Sequence, residues 1–230
     1  MPKTASISAV IVLSVLLGAC TPQQAIIAAL TPAGAATTLL GQLKGVDEQN
    51  IKRIVELERA GRWDELAGFA DKNLEKERSN ADWWLVLGYA RTQGGDHRAA
   101  AKAYGEAVRL EPDSALGWNL LAQSYRATGD SQRAIVVLNN ALLALRDAPL
   151  TVFLLGESYS DLGRLDQAAA AYRQALATEP KFPAAWFSLA RTYALMGRQD
   201  DAKEARAKLE KLDPKLAKRL DGGDGAGVAR

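Results

Sequence analysis

The sequence predicts an all-α protein, a right-handed superhelical solenoid of helix-turn-helix repeats, preceded by an export leader. Two observations predict the solenoid: glycines recur every 34 residues, and apolar residues lie three and four apart within each interval. A third, an apolar N-terminal stretch ending at the single cysteine, Cys20, predicts the leader. The 230 residues carry 29 Lys and Arg against 27 Asp and Glu, and this balance excludes a strong attraction to nucleic acid.

Residues 1–19 have the composition of a secretory leader. Lys3 is followed by an uncharged stretch rich in Val, Ile and Leu, and small residues precede Cys20. The apolar stretch is shorter than the roughly 20 residues that a membrane span needs. The sequence Leu17-Gly18-Ala19-Cys20 resembles the lipobox of bacterial lipoproteins, in which the cysteine is acylated and becomes the first mature residue. The alternative is an ordinary secretory leader with a chance cysteine.

The lipobox resemblance implies a location. Several acyl chains on Cys20, palmitate among them, would hold the chain on a bilayer where a single chain binds only marginally. Lipoproteins retained in the inner membrane usually carry Asp after the cysteine, and this chain carries Thr21. The resemblance therefore implies the periplasmic face of the outer membrane of a Gram-negative bacterium.

Residues 47–216 carry the repeats. The glycines at equal spacing are Gly61, Gly95, Gly129, Gly163 and Gly197. The same interval links small residues at Ala100, Ala134, Ala168 and Ala202, and mostly large ones at Trp84, Trp118, Val152 and Trp186. This pattern resembles the tetratricopeptide repeat, a helix-turn-helix unit of 34 residues. The resemblance implies full repeats at 81–114, 115–148, 149–182 and 183–216, and residues 47–80 are interpreted as a degenerate repeat.

The spacing also predicts how the two helices of a repeat meet. Apolar residues at positions 4, 7, 8 and 11 share one face of the first helix, and small residues of the second helix let the two backbones approach. Five acids follow the turn glycines by one to three residues and are expected to cap the next helix or to favour its N-terminus: Asp64, Asp96, Asp130, Asp166 and Asp200. Arg146 replaces the proline that ends other repeats, and Pro149 comes three residues later, so we expect the second helix there to run on or bend.

The segments outside the repeats have distinct compositions. Residues 20–46 are interpreted as a lipidated tether with short helices that pack on the degenerate repeat. A second membrane span is the alternative, although Pro32 and Gly34 interrupt it. Residues 217–230 are expected to form a capping end followed by a disordered, Asp- and Gly-rich tail.

In the resembling family, positions 2, 5, 9 and 12 of the first helices line a concave groove that binds proteins or peptides. The residues this resemblance assigns to partner binding are Tyr89, Asn119, Gln123, Arg126, Phe153, Glu157, Phe187 and Arg191. Phe153 and Phe187 are expected to lie side by side on the groove wall and to anchor apolar side chains. The alternative is that position 5 packs against the adjoining first helix.

Catalytic patterns are missing from the sequence. The only histidine, His97, follows a Gly-Gly-Asp turn, and no nucleophile motif, phosphate-binding loop or metal-ligand cluster accompanies it. A sugar-stacking platform is the alternative interpretation of the tryptophans, but three of them fall on position 4, where packing accounts for them. We therefore expect no enzyme activity, no cofactor, no metal and no small-molecule substrate.

The leader and the repeats together imply a function by resemblance. The chain is similar to repeat lipoproteins of Gram-negative bacteria that act as pilotins for pilus or secretion pores, and to others that organise cell-wall enzymes. The resemblance implies a lipid-anchored scaffold that binds a protein partner in assembling an envelope machine. The alternative is an accessory subunit of exopolysaccharide synthesis or export.

Overall fold

The structure, a computed structural model, describes residues 39–221. The predicted leader 1–19, the predicted lipidation residue Cys20 and the end of the predicted tail, 222–230, lie outside these residues. Within residues 39–221, no helix has both the length and the apolar character needed to cross a membrane.

The described residues form helices joined by short turns and contain no strand, which confirms the all-α solenoid prediction. The helices are α1 Glu48–Arg59, α2 Trp63–Leu74, α3 Ala81–Gln93, α4 His97–Leu110, α5 Ala115–Ala127, α6 Ser131–Ala144, α7 Pro149–Asp161, α8 Leu165–Thr178, α9 Pro183–Leu195, α10 Gln199–Leu212 and α11 Pro214–Lys218. We call α3, α5, α7 and α9 the first helices and α4, α6, α8 and α10 the second helices. Each first helix packs on the second helix that follows it, and each second helix packs on the next first helix, so the pairs form one continuous stack.

The turn within each pair depends on the repeated glycine. Gly61, Gly95, Gly129, Gly163 and Gly197 all have positive φ, between +65° and +82°. This left-handed conformation is strained for residues with a Cβ, which explains the spacing found in the sequence. Two of the predicted acids cap a helix: the Asp96 carboxylate accepts from the Ala99 N–H at 2.9 Å and the Asp130 carboxylate from the Arg133 N–H at 3.1 Å. The other three lie in the first turn of α2, α8 and α10, which have no side-chain cap: Asp64, Asp166 and Asp200.

Close approach of the paired helices depends on small residues that face a large one. A Cβ added to Gly88 would lie 2.4 Å from the ring of Tyr104 on the partner helix, and one added to Gly156 would lie 2.6 Å from the ring of Tyr172. In the pair α5–α6, both positions change together, to Ala122 and Leu138. Both of these side chains are fully buried. Glycine thus accompanies tyrosine and alanine accompanies leucine, which keeps the interior volume filled.

The tryptophans at position 4 join successive repeats. The indole N–H of each donates a hydrogen bond to the carbonyl oxygen six residues earlier, at the end of the preceding repeat. The pairs are Trp84 with Arg78 at 2.9 Å, Trp118 with Pro112 at 2.8 Å and Trp186 with Pro180 at 2.8 Å. Because these side chains bond inside the fold and are half-buried, their spacing reflects packing and not a sugar-stacking platform.

The junction at 145–148 departs from this scheme, and the expectation that the second helix runs on there is wrong. Helix α6 neither runs on nor bends to reach Pro149: it ends at Ala144 with 14 residues, the same length as α4 and α8. Leu145 is extended, and Asp147 takes a positive φ of 49°. The next first helix has Val152 in place of tryptophan, so no indole binds the carbonyl of Arg146 and the junction takes another path.

The segment before α1 lies against the start of the stack. Leu39 is buried in the same apolar cluster as the side chains of α1 and α2. The Gly45 N–H donates to the Asp82 carboxylate at 2.5 Å, and the Asn80 amide donates to the Gly45 carbonyl at 2.7 Å. The chain between residues 39 and 46 therefore packs on the repeats by way of the N-terminus of α3.

Candidate functional site

The first helices adjoin one another along the stack and together form what we call the inner face. Contacts run directly from α5 to α7 and from α7 to α9. Five of the predicted partner-binding residues are half-buried on these helices: Gln123, Arg126, Glu157, Phe187 and Arg191. A side chain that is partly exposed on an ordered helix can contact a partner without unfolding its own element.

A hydrogen-bonded network crosses three repeats on this face. Arg126 on α5 donates to Asp161 on α7, from Nε at 2.7 Å and from Nη2 at 3.1 Å, and Nη2 also lies 3.5 Å from Glu157. Glu157 accepts at 2.7 Å from the Tyr172 hydroxyl of α8 and at 2.8 Å from the Ser188 hydroxyl of α9. The network therefore fixes the positions of α5, α7 and α9 relative to one another.

The charges of this network are well matched. Burial would lower the pKa of Arg126, but its hydrogen bond to Asp161 and the charge of Glu157 outweigh burial and raise that pKa. Burial would raise the pKa of Asp161, but the bonds from Arg126 and Ser131 lower it. Burial and the charge of Glu157 raise the pKa of the Tyr172 hydroxyl, which stays a neutral donor. These groups hold one another in place and leave neither an activated base nor a nucleophile.

Three of the predicted partner-binding residues are core residues instead. Tyr89, Asn119 and Phe153 are only 3%, 5% and 3% exposed. The Tyr89 ring packs edge-on against Trp63 at 6.0 Å, and Asn119 accepts a 3.0 Å hydrogen bond from the Thr151 hydroxyl. Adjoining helices cover these three side chains, so the expectation that they line an accessible groove is wrong.

The two phenylalanines at position 5 have different environments. Phe153 packs against the rings of Phe182 at 4.9 Å and Tyr172 at 5.7 Å, so the packing alternative holds for it. Phe187 lies under the guanidinium of Arg219, 5.7 Å from its ring centroid. The two rings therefore differ in accessibility: Phe182, at the end of the repeat, packs next to Phe153, whereas Phe187 is half-buried.

Phe187 and Arg191 belong to a cleft at the C-terminal end of the stack, which we call the end cleft. It has a volume of 490 Å³ and lies between α9, α10 and the turn after α11. Its floor is apolar, with Phe187, Ala190 and Leu195 among its residues, and its rim is mostly basic. The end cleft thus offers an apolar surface next to charged groups, the usual composition of a protein-binding site.

No group of three or more His, Cys, Asp or Glu suited to a metal ion occurs among residues 39–221. His97 is the first residue of α4, and its Nδ1 is buried without a hydrogen-bond partner in the described part of the chain. The sequence interpretation of a histidine in the turn between two helices fits its place at the start of α4.

Sequence reasoning missed the partners that complete the network. Asp161, Ser131 and Ser188 lie outside positions 2, 5, 9 and 12. Yet Asp161 binds Arg126, Ser188 binds Glu157, and Ser131 donates to Asp161. One signal was present: Arg126 and Asp161 are 35 residues apart, one residue more than a repeat. Such a pair lies at nearly the same height on neighbouring first helices.

Family models of the tetratricopeptide repeat match residues 85–149, 156–197 and 183–216, which together make up more than half of the chain. Comparison with the curated proteins gives no match. These repeat matches include all four first helices and second helices, apart from a few residues at the start of α3 and α7.

Solved structures share the fold. MamA is 24% identical with a TM-score of 0.63 over 71% of this chain and 95% of its own. PilW, described as a widely conserved type IV pilus biogenesis factor, is 22% identical with a TM-score of 0.61 over 79% and 90%. YrrB, described as a TPR protein with an unusual peptide-binding site, is 19% identical with a TM-score of 0.59 over 82% and 98%.

Proposed function

Because the chain belongs to the tetratricopeptide-repeat family, we propose that it is a lipid-anchored scaffold on the periplasmic face of the outer membrane. It binds a protein partner and takes part in assembling an envelope machine, a pilus, a secretion apparatus or a cell-wall complex. The fold is that of a protein-interaction module.

The observation that carries the binding role is the rigid, partly exposed inner face. Glu157 joins three repeats through Arg126, Tyr172 and Ser188, so the first helices hold a fixed spacing before any partner arrives. Gln123 and Arg191, at the same repeat position as Glu157, flank it on the neighbouring first helices. A preorganised surface loses little conformational entropy on binding, which favours recognition of an extended or helical protein segment.

The descriptions of two structural relatives support this direction. PilW is described as a pilus biogenesis factor and YrrB as having a peptide-binding site. The alternative is a role in exopolysaccharide synthesis or export, but the position 4 indoles donate to backbone carbonyls within the fold, and packing accounts for their spacing. A protein partner is therefore the better supported ligand.

The anchor is tested at Cys20, the only cysteine of the chain. Cys20→Ser removes the thiol that would carry the lipid, so the protein should leave the membrane fraction or accumulate as the uncleaved precursor. Thr21→Asp is the companion variant, and it should keep the lipid but move the protein to the inner membrane. Density-gradient fractionation with immunoblotting measures both. Mature-size Cys20→Ser protein that stays in the outer membrane would refute the anchor.

The binding surface is tested by photo-crosslinking in intact envelopes. A benzoylphenylalanine in place of Gln123 sits on the half-exposed inner face and should capture a partner. The matched control is Leu143, which is 88% exposed on the opposite, second-helix side of the stack. An adduct from Gln123 but not from Leu143 would show that capture depends on the inner face and not only on the exposure of the side chain.

A further inference from the structure

A further repeat would begin at the end cleft, and the chain forms only the first turns of the helix that such a repeat would place there. Helix α11 packs on α10 and α9 where the next first helix would start, but it has 5 residues, whereas α9 has 13. Among residues 39–221, only Arg219, Leu220 and Asp221 follow α11, and they line the end cleft without filling it. Within the described residues, a surface suited to a packed helix is therefore open over most of its length.

The exposed floor of the end cleft shows what has been left uncovered. Leu195 is 60% exposed, and the residue one repeat earlier, Asp161, is exposed as well, so a large apolar side chain takes the place of an ionic one. Phe187 is half-buried, whereas Phe153, one repeat earlier, is only 3% exposed and packs against Tyr172 and Phe182, where the last repeat has Arg206 and Leu216. The end of the stack thus presents an aromatic and an aliphatic side chain to solvent.

The rim of the end cleft is basic where the inner repeats are apolar. The preceding repeat has Ala169 at the position of Lys203 and Tyr172 at the position of Arg206. Ala169 and Tyr172 are both buried. Arg191 and Arg219 add two more cations. The single acid in the lining, Asp221, is bound to Arg206 at 2.6 Å. The cleft therefore has a net positive charge around an apolar floor.

We propose that the end cleft docks an acidic amphipathic helix of the protein partner, which continues the stack as its next first helix. Its apolar side would cover Phe187 and Leu195, and its carboxylates would meet Arg191, Lys203 and Arg219. The sequence outside the described residues contains no acidic stretch. Residues 1–38 carry a single charge, Lys3, and residues 222–230 carry one acid and one cation. This inference rests on the proposed scaffold function and names the chemistry of one partner element.

The probe for the test is a labelled synthetic helix with leucines three and four residues apart and glutamates on both flanks. Fluorescence anisotropy with the full chain should show binding that weakens as salt rises, because the contacts include exposed ion pairs. A twin peptide with lysine in place of glutamate, and an acidic peptide with scrambled leucines, should not bind. Binding of the scrambled peptide as tightly as the amphipathic one would overturn the proposal.

Charge reversal locates the site. Lys203→Glu and Arg219→Glu should each weaken binding by about tenfold or more, because like charges would then face each other across the interface. Lys208→Glu is the matched control: it makes the same change on an exposed part of α10 outside the cleft and should leave binding unchanged. Equal affinities of all three variants would overturn the proposal.

A second copy of the chain is the remaining candidate occupant, and sedimentation of the full chain tests it. A monomer supports the partner helix, whereas self-association abolished by Lys203→Glu would show that the cleft binds another copy and would overturn the proposal. Failure here differs from failure of the scaffold function, because capture of a partner from Gln123 on α5 does not involve the end cleft.

Discussion

Phe153→Ala should lower the free energy of unfolding by about 3–5 kcal/mol, because it removes a buried ring and leaves a cavity between α7, α8 and the start of α9. Phe153 is 3% exposed and contacts the rings of Tyr172 and Phe182. Urea denaturation followed by circular dichroism measures the change.

Phe187→Ala is the matched control, since it makes the same truncation at the same repeat position. Phe187 is half-buried and contacts the guanidinium of Arg219, so its loss should cost clearly less stability. Equal losses in the two variants would mean that Phe187 is also a core residue, and it would then have no part in the end cleft.

Gly88→Ala should destabilise the chain by about 1–3 kcal/mol through overpacking, although it adds only one methyl group. The added Cβ would lie 2.4 Å from the Tyr104 ring, and that ring is 1% exposed and has no free space to move into. Denaturation of the full chain gives the magnitude.

A double-mutant cycle with Tyr104→Leu tests the cause of that loss. The combined variant reproduces the Ala122–Leu138 pair that the next repeat already contains, so it should be more stable than the sum of the two single losses predicts. Strict additivity would mean that Gly88 is required for another reason, such as the backbone conformation of α3. The cycle thus tests whether residues 88 and 104 must together fill a fixed volume where α3 and α4 cross.

The fold could be predicted because each structural feature that specifies it is repeated in the sequence. The turn glycines require a positive φ, the small residues occur where helices cross, and Asp96 and Asp130 follow the turns as caps. Each signal depends on a few neighbouring residues and recurs at a fixed interval, so a single sequence suffices to find it. The junction at 145–148 was mispredicted because Val152, in place of tryptophan, removes a contact that only the folded repeats bring together.

The candidate site was harder to predict, because exposure depends on what the neighbouring repeats place above each position. Position 5 is buried at Phe153, since Phe182 covers it, and half-buried at Phe187, where the stack ends. Asn119 is buried because Thr151 of the next first helix binds its side chain. The repeat register gives the side of the helix on which a residue lies, while the identity of its neighbours one repeat away decides whether it is accessible.

Photo-crosslinking from Gln123 and from Leu143 in intact envelopes tests most directly whether the inner face binds a protein partner. Binding at the inner face should give a discrete crosslinked adduct of defined mass from position 123 and none from position 143, even though Leu143 is the more exposed. Adducts from Leu143 alone, or the same adduct pattern from both positions, would contradict it.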